Sequence, residues 1–385
     1  MFPRVFWIDL LESAWKEKSI IWLSGVRRVG KTSLCQSLGD IEYFDCELPS
    51  VRRVMEDAEA FLQAVSGRRI VLDEVHRLGN PSELLKIAAD HFRSTRIVAT
   101  GSSTLGASTK FKDTLTGRKR DLWLTPLIAA DQAEFNKPGL DRRFLQGGLP
   151  GFFLAEQLPE RDFQEWADAY WAKDIQELFR LEKRHSFQRF LELLMAQSGG
   201  IFEATRFARP CEASRTTISN YLAVLEATHV AHVIRPYSSH RPTEIVSAPK
   251  VYGFDTGFVC HYKGWHPLRS EDRGVMWEHY VLNELQARLQ TRDVRYWRDK
   301  RGHEVDFVFQ QRGKPPIAIE CKWQAGDSDT SGLAAFARQY PEAELCVVAP
   351  DLALSLNRRH GDHEVVYLTL DDLNTRLGGR QARIR

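Results

Sequence analysis

A glycine-rich segment near residue 30 has the residue types and spacing of a phosphate-binding loop. Residues 25–32 read GVRRVGKT and match the pattern G-x-x-x-x-G-K-[ST]. An apolar run precedes the loop and an amphipathic stretch follows it, which predicts a strand, the loop and then a helix. In such loops backbone amides face the phosphates, the lysine reaches the β- and γ-phosphates, and the threonine ligates Mg²⁺. The predicted triphosphate-binding residues are Gly25, Val29, Gly30, Lys31, Thr32 and Ser33.

A second apolar run, residues 70–72, follows Arg68 and Arg69 and is followed by the acids Asp73 and Glu74. After a phosphate-binding loop, this order predicts that Asp73 holds Mg²⁺ together with Thr32. Glu74 is then expected to polarise the water that attacks the γ-phosphate. Two solvated acids at a strand end are the alternative, which the preceding loop disfavours.

Two further segments are predicted to act near the phosphates. Ser102, preferred over Ser103, follows a predicted strand and is expected to sense the γ-phosphate or to orient the attacking water. Arg118 lies in a basic segment, residues 116–120, and is expected to stabilise transition-state charge in its own or a neighbouring subunit. An ordinary turn is the alternative for each segment.

A helix-turn-helix pattern occupies the middle of the chain. Residues 201–207 predict a first helix, and residues 214–228 predict a second helix with Ser214 as its N-cap. Residues 232–237 and 244–252 predict a hairpin wing. The predicted DNA-binding residues, exposed at the start of the second helix, are Arg215, Thr216, Ser219 and Asn220. Packing against protein is the alternative use of this segment.

Acidic residues and a lysine alternate with apolar residues in two predicted strands near the carboxyl end. Period-two spacing places Asp306 on one face of the first strand, and Glu320 and Lys322 on one face of the second. A turn between these strands brings Asp306 and Glu320 together to bind one divalent cation, Mg²⁺ or Mn²⁺. Lys322 is then expected beside the attacking water, as in metal-assisted phosphodiester hydrolysis.

Glu278 is the third predicted ligand of this metal site. It lies on the apolar stripe of a helix predicted at residues 275–289, where a carboxylate needs a partner or a metal ion. An amphipathic hairpin with surface ion pairs and one solvent-reaching glutamate is the alternative.

Alternating strands and helices must position the amino-terminal residues. Strands are predicted at residues 20–24, 41–45, 69–73, 96–100 and 121–124, and helices near 31–38, 54–66, 81–92 and 129–135. This alternation predicts an α/β fold with a doubly wound, mostly parallel sheet. Ligands of such sheets bind at the carboxyl ends of the strands.

Composition bounds the remaining possibilities. The 385 residues are 43% hydrophobic and 27% charged, which predicts ordinary globular folding in two or three domains. A net charge of +2 limits nucleic-acid binding to local patches. The six cysteines form no C-x-x-C pair, so neither a zinc site nor a disulfide framework is indicated. Early acids, Asp9 and Glu12, and the lack of a long apolar run predict a cytoplasmic protein without a membrane segment.

The motifs together resemble a family of bacterial and archaeal AAA+-type ATPases. Its members carry a helical linker, a winged helix and a C-terminal domain that looks like a PD-(D/E)xK nuclease. The resemblance covers almost the whole chain, and its marks are residues 25–32, 73–74, 100–103, 116–118, 147–150, 216–226, 249–257, 304–306 and 319–322. Val305 stands where the nuclease signature has proline.

The resemblance implies four domains. They are a P-loop ATPase domain (1–135), a helical linker or lid (136–187), a winged helix (188–246) and a restriction-endonuclease-like α/β domain (247–385). It also implies ATP and Mg²⁺ as cofactors, DNA as a partner, and a nuclease-like site formed by Glu278, Asp306, Glu320 and Lys322.

The leading hypothesis is an ATPase that couples ATP binding and hydrolysis to DNA binding and carries a metal-dependent DNase domain. A nucleotide-switched DNA-binding regulator or signalling ATPase with an inert nuclease fold is the first alternative. A motor or chaperone acting on proteins is the second. The sequence leaves open whether the protein is a homo-oligomer.

Overall fold

The computed structural model describes residues 2–101, 115–135, 139–157, 160–176, 183–238, 248–326 and 329–381. The chain divides into two compact units. Unit 1 comprises residues 1–139, 148–184 and 223–230, and unit 2 comprises residues 140–147, 185–222 and 231–385.

The helices are numbered in chain order within the described residues. They are α1 (Val5–Glu17), α2 (Lys31–Gln36), α3 (Pro49–Val54), α4 (Ala58–Ala64), α5 (Pro81–His91), α6 (Ala129–Glu134), α7 (Leu140–Gln146), α8 (Pro150–Leu154), α9 (Glu160–Tyr170), α10 (Arg184–Ala196), α11 (Ala204–Ala208), α12 (Arg215–Ala227), α13 (Thr256–Lys263), α14 (Ser270–Leu289), α15 (Ser331–Gln339) and α16 (Leu370–Gln381). A 3₁₀ turn (Val75–Arg77) follows β3, and a π-helical segment (Trp171–Gln176) follows α9.

The strands are numbered in the same way. They are β1 (Ile20–Ser24), β2 (Glu42–Asp45), β3 (Arg69–Asp73), β4 (Arg96–Thr100), β5 (Lys119–Trp123), β6 (Gly200–Ile201), β7 (Ala231–Pro236), β8 (Lys250–Gly253), β9 (Arg295–Arg298), β10 (Glu304–Phe309), β11 (Ile317–Cys321), β12 (Glu344–Val348), β13 (Leu356–His360) and β14 (His363–Leu368).

The described strands of unit 1 form one parallel sheet in the order β2-β3-β4-β1-β5. Strands β1, β3 and β4 are nearly continuous apolar runs and are buried along almost their whole length. Parallel strands have this composition because helices cover both faces of the sheet. The predicted mixed α/β fold with a parallel sheet is confirmed. Helix α1 was not predicted, because its N-cap position is occupied by Arg4, which is not one of the usual N-cap residues.

The described strands of unit 2 form a sheet in the order β13-β14-β12-β11-β10-β9-β7-β8-β6, with parallel and antiparallel pairs. Strands β10 and β11 are antiparallel, and Phe307 pairs with Ile319. Continuing this register by one residue sets Asp306 opposite Glu320. Val305 and Phe307 are buried, as the alternation predicts.

The middle of the chain forms three helices followed by two paired strands. Helix α11 begins at Ala204, so the first helix predicted at residues 201–207 is wrong at its start, because Gly200–Ile201 pairs with β8 instead. Helix α12 begins one residue after Ser214, whose hydroxyl accepts the Thr217 amide at 3.1 Å. Strand β7 pairs antiparallel with β8. The tip of the predicted wing, residues 239–247, lies outside the described residues.

Buried hydrogen bonds join α7 to α13 within unit 2. Asp255 caps α13 by accepting the Gly257 amide at 2.9 Å. Arg143 of α7 donates to the Thr256 hydroxyl at 2.8 Å, and that hydroxyl donates back to the Arg143 carbonyl at 2.9 Å. Gly147 lies directly against Asp255, so that a Cβ at this position would be 2.0 Å from its Oδ1.

Gly147→Ala is expected to destabilise unit 2. The new methyl would collide with a buried carboxylate, and the backbone here has a φ of +81° that disfavours a side chain. Gly264→Ala is the matched control, because Gly264 has a φ of +66° but nothing within 4 Å of its added Cβ. Thermal or urea unfolding should show a loss about 1–3 kcal/mol larger for Gly147→Ala. Equal losses would contradict the proposed collision.

Within the described ranges, no helix has both the length and the apolar character required to cross a membrane.

Candidate functional site

The predicted phosphate-binding loop joins β1 to α2 at the carboxyl end of the unit 1 sheet. Gly25 has a φ of +147°, and a Cβ there would lie 2.6 Å from the Leu124 carbonyl oxygen. Val29 is completely buried, whereas Thr32 and Ser33 are exposed at the start of α2. The loop therefore presents its polar residues at a helix amino end, where backbone amides favour anions.

Lys31 folds back over the loop that precedes it. Its ammonium donates to the carbonyl oxygens of Gly25 at 3.0 Å and Val26 at 3.3 Å. Burial lowers the pKa of Lys31, and the negative charges of Glu74 and Asp174 oppose this effect. A charged group that is costly to bury is thus held where phosphate oxygens would be bound.

Asp73 is the centre of a hydroxyl cluster. Thr32 Oγ1 donates to Asp73 Oδ2 at 2.8 Å. The Tyr43 hydroxyl donates to the same oxygen, and the Thr100 hydroxyl donates to Asp73 Oδ1. A hydroxyl and a carboxylate that face each other form an oxygen donor set that suits Mg²⁺. The structure thus brings the two predicted Mg²⁺ ligands, Thr32 and Asp73, together.

Tyr43 and Thr100 were not predicted as site residues. Thr100 ends β4, and the pairing of Leu72 with Ala99 places it beside Asp73. Tyr43 lies on β2, the neighbour of β3 on its other side. The signal that identifies both residues is the strand order, because only adjacency to β3 makes them neighbours of Asp73.

Glu74 follows Asp73 with a left-handed backbone conformation, at a φ of 56°. Its amide donates to Thr100 Oγ1 at 3.1 Å, and its carboxylate lies 3.1 Å from Nδ1 of His76. Burial raises the pKa of Glu74, but the hydrogen bond from His76 and the charge of Lys31 outweigh burial, so the pKa lies below its ordinary value. Glu74 is therefore ionised at neutral pH, as a water-orienting base requires.

The chain start braces the loop through a buried arginine. Arg4 is 3% exposed and donates to the Val29 carbonyl oxygen at 3.1 Å. The other terminal nitrogen of its guanidinium forms an ion pair with Asp131 at 2.7 Å. Because Arg4 and Val29 are 25 residues apart, sequence spacing held no signal for this contact.

A second set of contacts that holds the loop involves Arg27, a residue of the loop itself. Arg27 Nε lies 3.0 Å from Asp174 in the π-helical segment, and its carbonyl oxygen accepts the Trp166 indole N–H at 3.0 Å. Burial raises the pKa of Asp174. These contacts tie α9 and the segment after it to the phosphate-binding loop.

One predicted catalytic residue lies outside the described residues, and another lies away from the loop. Ser102, like Ser103, lies outside the described residues. Arg118 directly precedes β5 and forms a bidentate ion pair with Asp90, at 2.8 and 3.1 Å. The next residue, Lys119, pairs with Ile20 at the amino end of β1, whereas the loop follows the carboxyl end of that strand. A role for Arg118 in its own or a neighbouring subunit stays a prediction.

The four predicted DNA-binding residues lie together on α12. Arg215, Thr216, Ser219 and Asn220 are all exposed. The opposite face is buried, with Ile218 and Tyr221 packed inside unit 2. The Tyr221 ring contacts Phe187 of α10, with ring centroids 5.2 Å apart. The helix thus presents a polar and basic surface at its amino end.

The predicted metal ligands also meet, within an acidic cluster that we define as Glu278, Glu304, Asp306 and Glu320. Asp306 Oδ2 accepts the Cys321 amide at 2.8 Å, and Lys322 Nζ lies 3.3 Å from Glu320 Oε1. Burial, followed by the charges of Glu320 and Glu278, raises the pKa of Asp306 well above its ordinary value. Burial raises the pKa of Glu320 to about 7.

Two unpredicted residues, Lys250 and Tyr252, occupy the centre of this cluster. Lys250 Nζ lies 3.5 Å from Glu278 Oε1 and forms an ion pair with Glu304. The Tyr252 hydroxyl donates to the same Glu278 oxygen. Burial lowers the pKa of Lys250, but the charges of Glu278, Asp306 and Glu304 outweigh burial and keep the amine protonated.

The carboxylates of this cluster are paired with protein groups. Within the described residues, no group of three or more His, Cys, Asp or Glu side chains is placed to hold a metal ion. Glu278 already has a lysine and a tyrosine as partners, which is the pairing that its position on an apolar stripe requires. The metal site at Glu278, Asp306 and Glu320 remains a prediction.

Three family models match successive parts of the chain. Residues 17–133 match the AAA domain. Residues 137–269 match the domain of unknown function DUF8612, and residues 273–369 match the domain of unknown function DUF4143.

The chain is also similar to uncharacterized proteins of Mycobacterium tuberculosis and Mycobacterium bovis. Each is 26% identical over 352 residues, which cover 88% of this chain and 78% of the relative. The descriptions of these relatives assign no activity.

Solved structures share only a distant likeness. A signal transduction ATPase with a tetratricopeptide repeat sensor from Pyrococcus horikoshii has a TM-score of 0.28 and 10% identity, over 73% of this chain and 46% of that one. This chain therefore spans less than half of that protein. AMPPCP-bound DnaA from Aquifex aeolicus has a TM-score of 0.27 and 15% identity, over 57% of this chain and 86% of that one. Likeness at this level carries no argument about function.

The family match over residues 17–133 agrees with the loop, the parallel sheet and the Thr32–Asp73 contact. These findings support an AAA+ P-loop ATPase in the amino-terminal part of the chain.

Proposed function

We propose that this protein is a Mg²⁺-dependent ATPase whose nucleotide state controls DNA binding. The observation that carries the ATPase part is the 2.8 Å contact between Thr32 and Asp73 beside the phosphate-binding loop. It joins two sequence motifs 41 residues apart at the carboxyl end of one parallel sheet, where ligands of such sheets bind.

Each residue of this site has a role that follows from its position. Backbone amides of the loop and the start of α2 bind the phosphates, and Lys31 exchanges its carbonyl contacts for β- and γ-phosphate oxygens. Thr32 and Asp73 would hold Mg²⁺, which neutralises charge on the phosphates when bound. Glu74 orients the attacking water and takes up its proton.

Thr100 is a positioning residue in this scheme. Its hydroxyl donates to Asp73, and it accepts the amide of Glu74. One side chain thereby fixes the orientation of the proposed metal ligand and of the proposed base.

The DNA-binding part of the proposal rests on α12. Its exposed polar residues stand at the amino end of the last helix before the β7–β8 pair, the order expected of a winged helix. The direct test is ATP hydrolysis with and without duplex DNA. Retention of labelled ATP with Mg²⁺, and a hydrolysis rate changed by DNA, would support the proposal; failure to retain ATP would refute it.

Arg215→Ala is expected to weaken DNA binding. Loss of one phosphate contact should reduce the slope of log affinity against log salt by about 1, with a similar loss for every duplex sequence. Arg338→Ala is the matched control, since Arg338 is an exposed arginine of unit 2 on a different helix. Fluorescence anisotropy across a KCl series measures both slopes. Identical slopes for both variants and wild type would exclude this face of α12 as a DNA contact.

A second candidate function is a DNA-binding regulator or signalling ATPase in which the nuclease-like domain is inert. The contact of Lys250 with Glu278 favours it, because Glu278 is one of the three carboxylates predicted to hold the metal of a nuclease site. Plasmid incubated with Mg²⁺ or Mn²⁺ distinguishes an active DNase domain from an inert one. Nicking that Asp306→Ala abolishes would establish the DNase, and intact plasmid would favour the regulator.

A further inference from the structure

We propose that Lys250 is the resident cation of the acidic cluster and that it excludes divalent metal ions from this cluster. This inference concerns unit 2 and does not depend on ATP binding. It goes beyond the proposed function by assigning a role to a residue that no sequence motif predicted as part of a site.

The first argument is the position of the ammonium group. Lys250 is 5% exposed and begins β8, so its side chain is held by a strand that is paired on both sides. Its Nζ is in ion-pair contact with both Glu278 of α14 and Glu304 of β10. A bound metal ion would also sit between carboxylates from different elements, and two cations cannot occupy one such space.

The second argument is the use of the carboxylate oxygens. Tyr252 lies two residues beyond Lys250, on the same face of β8, and its hydroxyl donates to the oxygen of Glu278 that faces Lys250. Asp306 Oδ2 is engaged by the Cys321 amide. These hydrogen bonds satisfy carboxylate oxygens within the protein, so that Glu278 and Asp306 do not depend on a metal ion as a partner.

The third argument is the charge balance of the acidic cluster. Glu320 has one oxygen beside Lys322, and its other oxygen, Oε2, is buried without a hydrogen-bond partner among the described residues. The cluster therefore has internal positive charge from two lysines, in place of an external ion.

The test is a titration of the full-length protein with Mn²⁺ in the absence of nucleotide. Electron paramagnetic resonance measures the free Mn²⁺ at each step. All proteins carry Asp73→Asn, so that the nucleotide site does not contribute. Binding is scored only where the further substitution Glu320→Gln removes it. Lys250→Met is the informative variant, and Lys250→Arg, which keeps the charge, is its matched control.

The protein with native Lys250 and the Lys250→Arg variant are expected to show no Glu320-dependent Mn²⁺ binding. Lys250→Met should show such binding, with an affinity at least about tenfold above the weakest that the titration detects. Glu320-dependent binding with native Lys250 would overturn the proposal, and this result does not require any Lys250 variant to fold. Absence of binding in a folded Lys250→Met protein, with folding checked by circular dichroism, would also overturn it. Lys250 would then not be the group that excludes the metal.

Discussion

Lys31→Ala is expected to abolish measurable ATP hydrolysis, with a fall in kcat of about 10²- to 10³-fold or more. Lys31 is the loop cation, and its ammonium lies over the Gly25 and Val26 carbonyl oxygens beside the loop amides. Removing it leaves the charge that develops on the γ-phosphate without its nearest neutralising group. Phosphate release under saturating Mg²⁺ and ATP measures the effect.

The binding of ATP should weaken in the same variant, because the lysine contacts phosphates before and during the reaction. Lys86→Ala is the matched control, since Lys86 is an exposed lysine on α5 of the same unit. Normal hydrolysis by Lys31→Ala would show that the phosphates are not bound at this loop.

Glu74→Gln is expected to separate binding from chemistry. The amide has nearly the same shape and still occupies the left-handed position after β3, but it cannot take up a proton from water. ATP binding should stay close to wild type, while kcat falls by about 10²- to 10⁴-fold. Measured together, an unchanged ATP affinity and a reduced single-turnover rate identify a residue that acts mainly in the transition state.

The pKa of Glu74 adds a pH dependence to this prediction. Because the hydrogen bond from His76 and the charge of Lys31 hold this pKa below its ordinary value, wild-type activity should not fall through protonation of Glu74 until the medium is distinctly acidic. Glu83→Gln, an exposed acid on α5, is the control and should hydrolyse ATP normally. Equal loss of affinity and rate in Glu74→Gln would instead assign it a binding role.

The predictions about this chain differ in how well they agree with the structure. The strands at 20–24, 69–73 and 96–100 agree with the bounds in the structure, because unbroken apolar runs identify strands buried on both faces. The first helix of the helix-turn-helix pattern was misplaced at its start, since pairing of residues 200–201 with a distant strand overrode local helical preference.

The predicted metal site shows which contacts the spacing of residues along the chain does not reveal. Period two predicted the positions of Asp306 and Glu320, which lie on the neighbouring strands β10 and β11, because alternation is a local property of a strand; Lys322 directly follows β11. It held no information about Lys250, which lies 28 residues from Glu278 and 54 residues from Glu304 in the chain. A competing cation from another strand changes the chemistry of the same carboxylates.

The sequence by itself determined the phosphate-binding loop, because Gly25, Lys31 and Thr32 act through a turn of eight successive residues whose conformation depends on near neighbours. Only the tertiary structure decided which partners surround it. Thr100 and Tyr43 reach Asp73, and Arg4 reaches Val29, through strand order and packing between distant segments. Such contacts arise from burial of the whole sheet, which no local pattern of residues encodes.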